Sequence, residues 1–499
     1  MSASGRRPEW GGGPLRAVAS GMIATVPTIA LLALSLAALP ASAQVTDTRT
    51  AAGRLRFPEL RFEPPEPEVH KVEGVQVLFL EDRTVPLVNV MARFEGGYGL
   101  FPREMYAAGT ALPALLRYGG TVALSPDSLD ERLEYYALQS TFGGGGESVF
   151  ASMNTLSELL PETLALWTSM LRTPRFDTAE LEIWRGRELD AVRRQPDDPQ
   201  RLAFSEFNRL LYGDHPVGWE MRAEDLSSAV LNLENLRRLQ AQILCRDNLL
   251  LGVTGDVSWR DMEALLTPLL KGWPKCARPL PEAPPPHIRD QGGVFVIARP
   301  LEQSVLVMAH PTAVTLGDGD YFAAQIANTI LGAGGFSSRL VARVRTEEGY
   351  AYSAASLWTT PRHYEGLLGV VTRTRPENAA PTLRSILDVL NGVRDAAPER
   401  DEVDTAVDQI ANGFVFNFET TAQIIARRMS FLAQDLPDDW LEDYLRGVQR
   451  VTPESVLAVF RKHLHPERMT ILVVGDPERM DMQALAALGP VTMLEPQGR

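Results

Sequence analysis

An arginine and a tyrosine seven residues apart, Arg345 and Tyr352, are the side chains of this sequence best placed for chemistry. They stand on either side of Gly349, where a predicted helix ends and an extended segment begins. A guanidinium and a phenol held on two sides of one turn can bind a carbonyl group and the peptide backbone beside it. The spacing alone also fits a plain helix–strand junction with an exposed arginine and a half-buried tyrosine.

The stretch 332–353 must position this pair. A glycine-rich turn leads to Ser337 and Ser338, which we predict to cap the N-terminus of a helix. The buried side of that helix carries three apolar residues, Leu340, Val341 and Val344. Arg345 then falls in the last helical turn, and Tyr352 lies just beyond the break.

Composition narrows the class of protein. The 499 residues predict two to four domains, and 45% hydrophobic with 22% charged residues is ordinary for a globular chain. The formal net charge is −14 and no basic cluster is present, so nucleic acid is excluded as a partner.

The first 43 residues resemble a signal peptide. A positive region carrying Arg6, Arg7 and Arg16 precedes the apolar run Met22–Leu39, which Pro27 interrupts, and a small-residue cleavage site follows at Ala41–Ala43. A single membrane anchor is the alternative, but the proline and the cleavage site favour a signal peptide. Removing three arginines and one glutamate changes the charge from −14 to −16. We therefore expect an exported, acidic protein without a membrane span, periplasmic if the host has an outer membrane.

Only two cysteines are present, Cys245 and Cys276. In an oxidising compartment they could pair, and two unpaired half-buried thiols fit the sequence equally well. They are too few for a zinc site made of cysteines.

The order of predicted elements recurs along the chain. The units NLLLGVTGDVSWRDMEALL and MTILVVGDPERMDMQALAAL can be laid on each other, each a buried strand, a Gly-Asp turn and a capped helix. The pattern predicts an α+β fold of two homologous halves, each an antiparallel sheet faced by helices, in a clam-shell assembly. The predicted segments are a leader (44–70), a first domain (71–272), a proline-rich linker (273–292), a second domain (293–490) and a tail (491–499).

Periodicity predicts individual elements within these domains. Helices are expected over 107–118, 177–194 and 233–243, and a strand over 366–374. Between the proline pair that ends the second of these helices and the turn-rich loop 212–218, no element is predicted.

Four motifs give the mature chain its resemblance to the insulinase and mitochondrial-processing-peptidase family, the inverted zincins. They are ILGAGGFSSRL, RTEEGYAY, YGDHPVG and the repeated strand–Gly-Asp unit. The resemblance is greatest to the bacterial two-domain members. It implies that active members carry zinc on an HxxEH helix of the first domain, completed by a distal glutamate. It also implies that an arginine and a tyrosine of the second domain hold the substrate and its oxyanion.

This sequence departs from that family pattern at the metal site. Aligning Gly120-Thr121 with the end of the family motif puts aliphatic side chains at all four ligand and base positions, Ala111, Ala114, Leu115 and Ala191. No HxxEH or HxxxH pair is found among the seven histidines, and we expect the pair His463 and His465 to be a surface or capping feature. His215 is expected to be structural. The chain is therefore predicted to hold no zinc.

Of the functional residues that the family implies, this sequence retains the pair Arg345 and Tyr352. Arg343 and Tyr350 share the spacing of seven, but the family pattern of glycine, two residues and tyrosine selects Tyr352. The resemblance is thus to a non-zinc subunit, active only with a zinc-binding homologue and acting on peptides or unfolded polypeptide. A non-catalytic scaffold or peptide-binding protein is the second hypothesis, and an autonomous metallopeptidase with an unusual site is the third.

Overall fold

Two six-stranded sheets organise residues 64–282, 285–290 and 292–496, which the computed structural model describes. The expected signal peptide and most of the expected leader lie outside these residues. The strand orders are β1-β2-β6-β3-β5-β4 and β12-β7-β11-β8-β10-β9. Their bounds are β1 Glu68–Val72, β2 Val75–Glu81, β3 Leu87–Glu95, β4 Gln139–Gly144, β5 Ser148–Leu156, β6 Leu249–Gly255, β7 Gly293–Ala298, β8 Ser304–Thr312, β9 Ala351–Trp358, β10 Gly366–Thr374, β11 Thr470–Gly475 and β12 Val491–Met493.

The helices follow the same twofold plan. In the first half they are α1 Tyr106–Tyr118, α2 Pro126–Tyr135, α3 Leu160–Arg172, α4 Thr178–Arg194, α5 Pro199–Tyr212, α6 Leu233–Ile243 and α7 Trp259–Lys271. In the second they are α8 Tyr321–Asn328, α9 Arg339–Val341, α10 Ala379–Asp395, α11 Arg400–Val415, α12 Thr421–Ala433, α13 Trp440–Gln449, α14 Pro453–His463 and α15 Met482–Ala486. The predicted α+β class with two similar halves is confirmed.

The sheets are mixed rather than purely antiparallel. β2 pairs with β6 in parallel, and β7 pairs with β11 in parallel. In each half, the last long strand therefore lies beside the first long strand and runs in the same direction. The remaining central pairs are antiparallel. The edges differ: β1 is antiparallel to β2, whereas β12 is parallel to β7.

Each sheet buries one face under helices of its own half. The first core lies between the first sheet and helices α1, α3, α6 and α7. The second lies between the second sheet and helices α8, α10, α11 and α14. Each large apolar side chain buried there contributes about 1.5–3 kcal/mol to folding.

The other face of each sheet is covered by a helix from the opposite half. Helix α5 buries Leu202, Ala203, Phe207, Leu210 and Leu211 in a cluster with residues of β8 and β11. No helix is predicted there from the sequence. The signals that could have predicted it are the apolar stripe and Asp198, whose carboxylate accepts from the N–H groups of Gln200 and Arg201 at 2.9 and 3.1 Å.

Helix α12 makes the reciprocal contact with the first sheet. Ile425 and Met429 pack on Leu78, and Gly252 of β6 makes the approach possible. A Cβ at Gly252 would lie 2.3 Å from Ile425 Cγ2 and 2.5 Å from Met429 Sδ. The two halves are therefore fastened to each other by an exchange of helices.

Three boundaries differ from the predicted ones. β1 begins at Glu68, inside the segment expected to be an extended leader, and β12 lies in the expected tail. Both are short edge strands with exposed residues, which carry little apolar pattern. Trp273 opens the expected linker, yet it is buried and its Nε1 donates to the Leu244 carbonyl at 2.7 Å.

Cys245 and Cys276 form a disulfide, with Cα atoms 4.9 Å apart. Of the two alternatives that the sequence leaves open, the structure has the paired one. The bond ties the start of the linker to the end of helix α6. None of the described helices is both long and apolar enough to cross a membrane.

Candidate functional site

The segment before Arg345 is helical but irregular. After α8 the chain forms a π-helical turn over Thr329–Ala333, the short helix α9 and a second π-helical turn over Ala342–Glu347. Leu340 and Val344 are fully buried, and Val341 is nearly so, as predicted. Gly349 ends the segment with a φ of +64°, a left-handed conformation that glycine adopts without strain.

The predicted serine cap is wrong in its detail. The Ser338 hydroxyl accepts no bond from the helix and instead donates to the Gly335 carbonyl at 2.7 Å. Ser337 Oγ likewise donates, to the Gly334 carbonyl at 3.2 Å. The hydroxyls therefore stabilise the glycine turn, because the tight turn brings carbonyls closer to them than the helix N–H groups.

Arg345 is held between two aromatic rings. Its guanidinium carbon lies 4.5 Å from the centre of the Phe336 ring and 4.6 Å from that of Tyr352. Both rings are largely exposed, at 76% for Phe336 and 80% for Tyr352. Cation–π contact fixes the guanidinium without neutralising it, so its N–H groups remain able to donate to another molecule. No role is predicted for Phe336 from the sequence, although the residue directly follows the glycine pair Gly334-Gly335.

The alternative pair, Arg343 and Tyr350, has other partners. Arg343 forms ion pairs with Glu347 at 2.9 Å and Glu348 at 2.8 Å. Tyr350 is half-buried and packs against the second core. Of the two pairs with a spacing of seven, only Arg345 and Tyr352 are presented together at the surface.

Two threonines of β10 hold the backbone on both sides of Tyr352. Thr374 Oγ1 donates to the Tyr350 carbonyl at 2.7 Å, and Thr372 Oγ1 donates to the Ser353 carbonyl at 2.6 Å. The β9–β10 register shifts between these two threonines, which marks a bulge. A bulge re-aims side chains locally, and here the threonines fix its geometry. The backbone that carries the phenol is thus held by hydrogen bonds on both sides.

A cleft of about 610 Å³ opens beside the pair. Besides Arg345 and Tyr352, polar and cationic side chains line it, including Gln303, Arg373 and Arg375. The predicted strand 366–374 contributes Arg373 and Thr374 to this lining, but its long-range approach to Tyr352 is not readable from the sequence.

The four positions that the sequence aligns with the family's metal site lie on two helices in contact. Ala111, Ala114 and Leu115 are on α1, and Ala191 is on α4, which packs against α1. Ala111 and Leu115 are buried in the first core, at 0% and 1% exposure, whereas Ala114 and Ala191 are half-buried.

These side chains do not fit a zinc ion. An aliphatic group has no lone pair to donate to a metal and no proton to exchange. In the part of the chain that the structure describes, no group of three or more His, Cys, Asp or Glu is placed to hold a metal.

His463 and His465 are expected from the sequence to be a surface or capping feature, and the surface alternative does not hold for His463. That residue is 6% exposed, and its Nε2 lies 2.8 Å from Asp320 Oδ2, which also accepts from Lys462 at 2.6 Å. The backbone N–H of His465 donates to Nε2 of the buried His310 at 3.1 Å. Both histidines therefore fasten the end of helix α14 to its neighbours.

His215, expected to be structural, forms part of a turn. Its Nδ1 accepts from the N–H of Val217 at 3.3 Å, at the start of a short 3₁₀ turn after α5.

Comparison with known proteins agrees with this arrangement. The family model described as the peptidase M16 inactive domain matches residues 231–410, which include Arg345 and Tyr352. An uncharacterized zinc protease of Streptomyces coelicolor is 27% identical over 324 residues, covering 63% of this chain and 69% of that protein. The non-peptidase homolog YmxG of Helicobacter pylori is 20% identical over 408 residues, covering 81% and 93%.

A solved structure shows the same fold. The crystal structure of a peptidase M16 inactive domain from Pseudomonas fluorescens superimposes with a TM-score of 0.72 at 25% identity, covering 83% of this chain and 99% of that chain. The two six-stranded sheets with their helices share the fold of that structure, and the four positions aligned with the family's metal site carry aliphatic side chains. Residues 231–410 thus match the peptidase M16 inactive-domain family, the insulinase-like family of the expected resemblance, and the described fold is similar to that of one of its inactive-domain structures.

Proposed function

We propose that this chain is the non-zinc subunit of an exported heterodimeric metallopeptidase of the M16 family. A zinc-binding homologue would supply the metal and the general base, and this chain would supply Arg345 and Tyr352. One observation carries the proposal: Arg345 is fixed between the exposed rings of Phe336 and Tyr352, while all four metal-site positions are aliphatic. A chain that kept neither activity nor partner would have no use for this exposed pair.

The two side chains suit the charge that develops in peptide hydrolysis. The Tyr352 hydroxyl would donate a hydrogen bond to the oxyanion formed from the scissile carbonyl. Arg345 would donate to a backbone carbonyl of the peptide and hold the chain in register. Removing one oxyanion donor from an enzyme typically lowers turnover roughly a hundredfold to a thousandfold.

Export and a polypeptide substrate complete the proposal. The signal-like sequence at 1–43 supports export, and the disulfide between Cys245 and Cys276 supports an oxidising compartment such as the periplasm. The substrate would be a peptide or an unfolded segment, since Arg345 binds backbone that a folded protein keeps paired.

A non-catalytic scaffold or peptide-binding subunit is the second candidate. The match to an inactive-domain model and the name of the Helicobacter pylori relative, a non-peptidase homolog, favour it. A complex that binds peptides and never hydrolyses them would support this candidate.

Reconstitution separates the candidates. The mature chain is mixed with a family homologue from the same organism that carries HxxEH, and hydrolysis of a quenched fluorescent peptide is followed. We expect activity from the mixture and little from either chain alone. Equal activity of the homologue with and without this chain would contradict the proposal.

Metal analysis of the isolated chain addresses the autonomous metallopeptidase. After exposure to zinc and removal of the excess, we expect far less than one zinc per chain. One equivalent of zinc, with activity of the chain alone, would replace the proposal by that third hypothesis.

A further inference from the structure

The cleft beside Tyr352 is lined by several positively charged side chains. Arg345, Arg373 and Arg375 all line it. Within the described residues none of the three has a carboxylate at ion-pair distance, although the chain has 63 acidic residues against 49 basic ones. In an acidic protein, three such arginines on one cleft call for a ligand that brings its own negative charge.

The strand pattern explains how two of these arginines reach the cleft. Along β10 and just beyond it, Thr372 and Thr374 are buried, and Arg373 and Arg375 alternate with them and are exposed. The buried threonines are those that hold the backbone around Tyr352. The arginines are therefore presented at the bulge that places the phenol.

Neighbouring contacts orient these arginines and leave their charge in place. Arg373 Nη2 donates to the side-chain carbonyl of Gln200, a neutral group on helix α5. The carboxylates of Glu302 and Glu377 are engaged by Arg479, at 3.0 and 2.9 Å. A backbone hydrogen bond, Arg479 and the nearby Arg375 all lower the pKa of Glu377, so Arg375 lies close to a carboxylate whose ion-pair contact is made by Arg479.

We propose that this cleft is a carboxylate-binding subsite of the peptide substrate, with Arg373 and Arg375 as the residues that bind the anion. The inference rests on the proposed function and adds a substrate class to it, acidic peptides. A guanidinium matches a carboxylate in shape and can donate two parallel hydrogen bonds to it. The carboxylate can come from an aspartate or glutamate side chain or from the C-terminus of the peptide.

Peptide binding to the full mature chain tests the subsite without requiring catalysis. Fluorescence anisotropy is measured with one labelled peptide made with glutamate or glutamine at each position in turn, and with a free or amidated C-terminus. We expect the carboxylate form to bind about tenfold more tightly, because charge-assisted hydrogen bonds are the strong ones. Preference for glutamate identifies a side chain as the source, and preference for the free terminus identifies the C-terminus. The preference should shrink at high salt.

Matched variants locate the effect. Arg373→Gln with Arg375→Gln should remove the preference, so that the glutamate and glutamine peptides bind alike. Arg343→Gln removes an equal charge nearby but outside the cleft, from an arginine paired with Glu347 and Glu348, and should keep the preference. Thermal unfolding checks that the double variant folds, and Arg375→Gln alone, at an exposed position, should reduce the preference partly.

Each result is decisive for one proposal or the other. Equal binding of carboxylate and amide forms, no binding of either, or equal loss in Arg343→Gln overturns the subsite. A carboxylate preference in a reconstituted complex that never hydrolyses peptide supports the subsite and contradicts the catalytic role. An active complex without the preference supports the catalytic role and contradicts the subsite.

Discussion

The positions of the first half that align with the family's metal site and the Arg345–Tyr352 segment of the second half differ in burial and in the contacts around them. Ala111 and Leu115 are sealed in the first core, whereas Tyr352 is 80% exposed. Around the first positions the contacts are aliphatic packing. Around Tyr352 they are directional, with two threonine hydroxyls on the flanking carbonyls and a guanidinium on the ring.

The difference teaches what each region contributes. Aliphatic groups in the first half add burial and carry no chemistry, so that region now serves stability. In the second half, the aromatic rings of Phe336 and Tyr352 are exposed to solvent beside Arg345 and an arginine-lined cleft. Burying these rings would have stabilised the fold more. Structure that is costly to leave exposed points to a partner or a ligand.

The strongest test of this contrast concerns stability. Leu115→His, which restores the family residue type, should lower the free energy of unfolding by about 4 kcal/mol, because it opens space in the core and buries an imidazole without a partner. Urea denaturation measures it. Tyr352→Ala is the control, expected within about 0.5 kcal/mol of the unmodified chain because the side chain is exposed. A stable Leu115→His protein would mean that the first half still accommodates a ligand.

A buried histidine of the second half provides the next test. His310 Nδ1 donates to the Pro311 carbonyl at 2.8 Å while its Nε2 accepts from the His465 N–H. Burial lowers the pKa of His310 from 6.5 to about 4, with the Pro311 contact and Asp290 acting in the opposite direction and His465 and Arg468 acting with burial. The unfolded chain therefore binds this proton first as the pH falls.

The pH dependence of the free energy of unfolding follows from this shift of the His310 pKa. The neutral imidazole contributes its full stabilisation above pH 6.5, and this is lost as the pH falls toward 4, by roughly 3 kcal/mol. Denaturation across this range should show a steeper fall for the unmodified chain than for His310→Gln. Equal slopes would show that His310 is not held neutral in the fold.

A smaller effect is expected at the aromatic sandwich. Phe336→Leu keeps an apolar side chain but removes one face of the cation–π contact, worth about 0.5–1 kcal/mol at an exposed site. In the reconstituted complex we expect KM to rise about threefold with kcat little changed, since Arg345 would hold backbone rather than the reacting atoms. Val217→Leu, at an exposed position outside the site, is the control. A large fall in kcat would assign Phe336 a role nearer the chemistry.

Regular elements of the fold were predictable from periodicity. Helix α6 and strand β10 have the predicted bounds, because a strong apolar stripe and a buried strand leave little ambiguity. Helix α5 was not predicted in this way. Its apolar residues pack on the opposite half, and the neighbouring turn motif indicates a loop rather than a helix. The edge strands β1 and β12 are short and exposed, so they carry no pattern.

For the candidate site, the sequence predicts the pair and its turn but not what holds them. Spacing and the family pattern identify Arg345 and Tyr352. The hydroxyl bonds from Thr372 and Thr374 and the approach of Arg373 to Gln200 join residues distant in sequence. Such contacts depend on the registers of β9 and β10 and on the exchanged helix, which local patterns do not encode.

Turnover of the reconstituted complex with Tyr352→Phe tests the central claim most directly. The change removes one hydroxyl from an exposed side chain, and Tyr350→Phe is the matched control at a half-buried neighbour. We expect kcat to fall about a hundredfold for Tyr352→Phe, with assembly unchanged by size-exclusion chromatography, and to stay within about twofold for Tyr350→Phe. An unchanged kcat in Tyr352→Phe would contradict the claim that this chain completes its partner's active site.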